Sequence, residues 1–201
     1  MTARPGARAV SDPPSSDPRA ELPLELVLLD TVPAADRDDL LAAARALRLG
    51  PGQDAFVPPA TDVVDAALAD PDRHLLVARA AGGAVVALGV LHPGGAPDEV
   101  VALLGGAASA DVVLFRGFLV DVAAQGAGVG TRVASLLPAA VADLARVRRR
   151  ADPYAALVLT VNERNAAGRR AYARAGLADR GAYLGGNAGP QRIMATTLDS
   201  P

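Results

Sequence analysis

Short apolar runs of strand length alternate with longer stripes of helical period along this chain. Glu25 to Leu29 is a run of the first kind. Ala34 to Leu49 carries Leu40, Leu41, Ala44 and Leu47 at the one- and three-residue spacings of a helix face, and Gly50-Pro51-Gly52 ends it. A second stripe, Thr61 to Ala69, holds Val64, Ala67 and Leu68, with Thr61 or Asp62 expected as its N-cap. His74 to Ala80 and Ala84 to Leu91 read as strands joined at Ala81-Gly82-Gly83, a hairpin signal.

Residues 92–111 are irregular, with Val100 to Leu104 as a further edge strand. Val112 to Val122 is the next strand. The helix that follows has Val133, Leu136, Leu137, Ala140, Val141, Leu144 and Val147 on a buried stripe, and Pro138 inside it predicts a kink near Ala134 or a split in two. Ala156 to Val161 is a continuous apolar strand, Asn165 to Ala175 a helix, and Gly176 its cap. Asp179 to Leu184 and Arg192 to Leu198 close the order. The pattern is mixed α and β with a central sheet.

Residues 1–20, rich in Pro, Ser, Ala, Asp and Arg without an apolar period, are expected to be a disordered tail, and 21–201 a single domain. No secretory h-region and no window of roughly 18 uninterrupted apolar residues is found, so a cytoplasmic protein is expected. A net charge of −2 provides no general attraction to nucleic acid or to anionic membranes. The cluster Arg146, Arg148, Arg149 and Arg150 is read as a solvated helix C-terminus favoured by the macrodipole.

The absent residue types narrow the chemistry further. All 20 basic side chains are arginine, and there is no cysteine. A P-loop lysine, a Schiff-base lysine and a catalytic thiol are therefore unavailable. His74 and His92 lack any paired metal-ligand spacing and are read as structural, so no metal is expected.

The chemistry concentrates at Val120-Asp121-Val122-Ala123-Ala124-Gln125-Gly126-Ala127-Gly128-Val129-Gly130-Thr131, where a strand ends in a glycine-rich turn that opens a helix. Such a junction presents free N–H groups and a positive dipole end to an anion. A dinucleotide fingerprint is one alternative. It requires glycine at Thr131 and an acidic residue some 20 positions on, and Asp143 falls inside the helical stripe instead. A purely structural turn is the other. A second segment, Asn165 to Leu177, places Asn165 and Tyr172 two turns apart on one helix face, about 10 Å along its axis.

Together the two segments resemble the GNAT superfamily of acetyl-CoA-dependent N-acetyltransferases. Gln125, Gly128 and Gly130 match that family's pyrophosphate loop, and Val120-Asp121 ahead of it is family-like; Val122 and Ala124 depart from a common proline and aromatic. The resemblance implies an α+β fold with a mostly antiparallel twisted sheet of six to seven strands and about four helices. It implies acetyl-CoA held by Phe118, Leu119, Val120, Val122, Gln125, Gly126, Ala127, Gly128, Val129, Gly130, Thr131, Asn165 and Tyr172. Tyr172 would protonate the departing thiolate, and a backbone N–H near Val120 to Val122 would stabilise the oxyanion.

Asp121, Asp111 and Glu163 are candidates by position for removing the amine's proton, with Asp121 in the family-like place but read first as capping or hydrogen-bonding the turn. Gln53-Asp54-Ala55-Phe56-Val57 and Phe118-Leu119-Val120-Asp121 look like the spermidine and spermine acetyltransferase branch. A polyamine-like acceptor is the first expectation, with Asp54, Asp62, Asp65 and Asp98-Glu99 as its acidic surroundings. A protein N-terminus or lysine, an antibiotic amine, and a non-catalytic acyl-CoA-binding module stand as alternatives. A homodimer is left open.

Overall fold

The computed structural model describes residues 23–186 and 189–198; the tail expected over residues 1–20 lies outside them. Seven strands form one sheet: β1 (Leu24–Leu28), β2 (His74–Ala80), β3 (Val85–Pro93), β4 (Val112–Val120), β5 (Ala156–Asn162), β6 (Ala178–Tyr183) and β7 (Gln191–Thr197). Their order is β1-β2-β3-β4-β5-β7-β6, with β4 and β5 parallel and every other pair antiparallel. Five helices accompany them among the described residues: α1 (Ala34–Arg45), α2 (Ala60–Leu68), α3 (Asp98–Val101), α4 (Val129–Val147) and α5 (Ala166–Arg174). The mixed α+β architecture read from the periodicity is observed.

Strand alternation sends the buried side chains of β4 to opposite faces. Val113 and Phe115 join a core with Val133, Leu137, Val141 and Leu144 of α4 and Tyr172 of α5. Leu119 packs with Val63, Val64 and Ala67 of α2 on the other face, and Val112 and Leu114 with Val100 and Val101 of α3. The sheet is thus covered on both sides, and the α2 and α3 patches leave Arg116, between Leu114 and Leu119, without an apolar cluster of its own.

Several boundaries differ from the sequence pattern. The stripe from Ala34 ends as a helix at Arg45, short of the glycines. α2 begins at Ala60 with Pro59 at its N-cap rather than Thr61 or Asp62, because a proline-fixed φ already suits a helix start, and Leu68 turns outward. Val100 to Leu104 is not an edge strand: Pro97 followed by Asp98 and Glu99 starts α3, which a short 3-10 turn extends. The sheet's edges are β1 and β6. α4 is a single helix of 19 residues in spite of Pro138, which lies on its exposed side, where water can meet the carbonyl left without a donor. Val147 is likewise exposed, and Leu136 only half-buried.

The arginines after α4 do more than meet solvent. Arg148 pairs with Asp72 at 2.9 Å and donates to buried His74, whose other ring nitrogen lies 3.1 Å from Asp30. Arg150 pairs with Asp111 and stacks over the Tyr154 ring at 4.4 Å. These contacts tie the end of α4 to the start of β2 and to the loop before β4, so the helix that carries the glycine turn at one end is anchored at the other.

Candidate active site

The site begins where two parallel strands part. β4 and β5 pair only over Val112–Leu114 against Ala156–Val158, although β4 continues to Val120 and β5 to Asn162. A bulge in β4 sharpens the divergence: Leu119 faces Leu88 but Arg116 faces Val90, so Gly117 and Phe118 together oppose Gly89. Gly117 has φ +60, and a Cβ there would lie 2.9 Å from the Val63 side chain of α2. Only glycine fits. The bulge keeps Phe118 against the α4 core while Arg116 remains with the opposite face.

A groove of 1410 Å³ runs through this opening. On the α4 side it is lined by Gln125, Gly126, Gly128, Val129, Gly130 and Thr131 of the turn. The φ values of Gly126 and Gly128, +79 and +85, fold the chain into the helix, and no side chain caps α4. The first turn of α4 therefore offers free amides to the groove. Arg132, one turn in, lines the same wall, and its buried Nε has no hydrogen-bond partner among the described residues. Arg170 and Arg174 of α5 line it as well. Orphan amides, a helix dipole and arginines fit a pyrophosphate.

Phe118, Leu119 and Val120 of β4 and Asn165 and Tyr172 of α5 complete the expected lining. Asn165 is the N-cap of α5, its Oδ1 accepting from the Gly168 amide at 2.8 Å, and Tyr172 sits in the last turn behind Phe118, ring centres 6.5 Å apart. Burial alone pushes the Tyr172 phenol well above its usual range, so its neutral, proton-donating form is the stable one at physiological pH.

Ala127, Val122 and Asp121 do not line the groove, contrary to the sequence expectation. Val122 is exposed and its amide donates to the Arg48 carbonyl at 2.9 Å. Asp121 accepts from the amides of Arg48 and Ala123, each at 2.9 Å, which hold its carboxyl below the usual carboxylate range. A group so engaged fixes the turn and is poorly suited to take a proton. Gln125 is also a strut: it exchanges amide hydrogen bonds with Gln53 at 2.8 and 3.1 Å and donates to the Val120 carbonyl at 2.9 Å.

Asp121→Ala removes this cap and should cost about 1 kcal/mol of stability. Because the folded pKa is depressed, that contribution is present above the ordinary carboxylate pKa and disappears as pH falls through the lower folded value. Urea unfolding should show the gap between wild type and Asp121→Ala narrowing in acid. A gap that stays constant across that range would contradict the assignment.

One amide in this stretch turns away from β3. Asp121 N–H donates to Val86 and Val122 N–H to Arg48, and in an antiparallel ladder the residue before such a donor points its own N–H the other way. Val120, opposite Ala87, therefore directs its N–H away from β3 into the gap.

The other candidate acids are elsewhere. Asp111 is paired with Arg150, Glu163 is exposed outside the groove, and Asp65 is held by Arg45 at 2.7 Å. Of the expected acidic surroundings only Asp62 lines the groove, on α2, and Arg73 and Arg116 line it as well. These two arginines, with Arg132, were missed by sequence reasoning, although Arg116 is the lone charge in the apolar run of β4.

No family model and no curated protein sequence matches the chain. Solved structures do. An acetyltransferase of the GNAT family from Streptococcus pneumoniae covers 88% of this chain and 99% of its own, at 14% identity and a TM-score of 0.52. The chain has the GNAT fold. An aminoglycoside acetyltransferase in complex with coenzyme A shares that fold at 18% identity and a TM-score of 0.56, covering 87% of this chain and 94% of its own. So does spermidine N-acetyltransferase from Vibrio cholerae in complex with CoA and spermine, at 13% identity and 0.53, covering 88% and 96%. The GNAT sheet, mostly antiparallel, excludes the doubly wound parallel arrangement that a dinucleotide fingerprint would serve.

Proposed function

We propose that this protein is an acetyl-CoA-dependent N-acetyltransferase that moves the acetyl group directly to a primary amine of a small molecule. The observation that carries the reading is the meeting, in one groove through the gap between β4 and β5, of the uncapped start of α4 and the buried phenol of Tyr172. The coenzyme-bound neighbours of the same fold support it.

The amides of residues 126–131 would hold the pyrophosphate, and Arg132 would supply the positive charge that Gln125 lacks. Val120 N–H, aimed into the gap, would donate to the thioester oxygen as negative charge develops there. Tyr172 would donate its proton to the departing sulfur and recover one from the acylated nitrogen. An alkylamine is only about one part in a thousand neutral at pH 7, so a proton must leave before attack. Asp62, the one carboxylate lining the groove among the described residues, is the group we assign to that step, through water.

A polyamine acceptor has the spermidine enzyme in its favour and the arginine lining of the groove against it. The experiment is thiol release from acetyl-CoA over a panel of amines, in which a protein without cysteine adds no background. Amine-dependent release is expected, and coenzyme binding without it would leave only a binding module.

A further inference from the structure

The groove's second end lies on the α2 and α3 face of the sheet, bounded by Asp62 and Ala66 of α2, Arg73 before β2, Pro97 before α3, Arg116 of β4 and Tyr183 of β6. The two arginines there are not equivalent. Arg73 is neutralised: its Nε meets Asp70 at 3.1 Å and its Nη1 donates to the Ala66 carbonyl at 3.4 Å. Asp72, the next acid, is bound to Arg148. Among the described residues the Arg116 side chain has neither a hydrogen bond nor a salt bridge, and it is exposed in the groove although Leu114 two residues before it and Leu119 three after are buried. Partial desolvation and the charge of Arg73 lower its pKa, against the opposing pull of Asp70.

An exposed arginine that lines the groove without a protein partner has its fork free for a ligand. The planar fork of an arginine matches an oxyanion in two hydrogen bonds. We propose that the acceptor is a zwitterionic amine, an amino acid or a close analogue, whose oxyanion is bound by Arg116 while its amine reaches the gap between β4 and β5. The inference rests on the acetyl-transfer reading above. A polyamine fits this end less well, since its second ammonium would add a positive charge beside Arg116, whose own charge no ion pair offsets, with Asp62 the nearby carboxylate of the lining and Asp70 already paired with Arg73.

The test is steady-state thiol release at saturating acetyl-CoA with free amino acids, their carboxamides, aminoalkylphosphonates and spermidine, for wild type and Arg116→Gln. At least one anionic acceptor should exceed its own carboxamide in kcat/KM by roughly 10- to 100-fold, mostly through KM, as expected for a charge-assisted hydrogen-bond pair. The carboxylate and phosphonate arms show which oxyanion is taken. Arg116→Gln should erase that preference, leaving turnover of the carboxamide and calorimetric acetyl-CoA affinity unchanged. Spermidine or the carboxamides turned over as well as the anionic amines, or a preference that survives Arg116→Gln, would overturn the proposal while leaving acetyl transfer intact. No release with any amine would overturn both.

Discussion

Tyr172→Phe should lower kcat by about 10- to 1,000-fold while acetyl-CoA affinity changes little. The split follows from where the hydroxyl is. The ring fills a buried position against Phe118 in the α4 core, and phenylalanine can occupy it without a cavity, so the coenzyme wall and the fold should persist. What is lost is one proton donor. A thiol of ordinary pKa, about 8.5, is a weaker base than the phenolate of Tyr172. In the proposed reaction the hydroxyl would therefore stabilise sulfur as charge develops and complete the transfer only once the nitrogen's proton is available. Steady-state kinetics on the folded variant, beside calorimetry, reads both halves, and a wild-type kcat would remove Tyr172 from the chemistry.

Gly128→Val should raise the Kd for acetyl-CoA by at least roughly 100-fold, because two charge-assisted hydrogen bonds of about 1.5 kcal/mol each suffice for that loss. Gly128 is the N-cap of α4 at φ +85, a conformation that valine adopts only under strain, and a branched side chain there would fill the space in front of the helix amides. Strain alone could unsettle the turn. Gly130→Val separates the two effects, since that residue lies within α4, where its Cβ would meet Phe118 and Ala171 only at 3.9 and 4.0 Å. Both variants should lose coenzyme affinity, with Gly130→Val melting near wild type. Retained affinity in a folded Gly130→Val protein would place the pyrophosphate elsewhere.

The apolar period was sufficient to read the mixed sheet, the hairpin of β2 and β3, and the strand, glycine turn and helix that line the groove, because each of these elements is a local pattern buried on one face. Residues 98–104 misled: Val100 and Val101 are buried as a strand would bury them, and Pro97 with two acids decided for a helix. Asp121 was legible as a cap of the turn through Ala123, and its second partner was not, since Arg48 is 73 residues away. The acceptor end was misread for a related reason. Sequence order puts Asp54, Asp62 and Asp65 near one another, but Asp65 is spent on Arg45 and only Asp62 reaches the groove, while Arg73 comes from the loop before β2 and Arg116 from β4. Which charges share a cleft is set by sheet order, and no local pattern carries it.

The most direct measurement of the central claim follows free thiol and N-acetylated product together in one reaction of protein, acetyl-CoA and an amine acceptor. The account predicts that both appear in equal amounts, only when protein and amine are present together, and that Tyr172→Phe slows both alike. Acetyl-CoA bound tightly while neither product rises above the uncatalysed rate with any amine would contradict it.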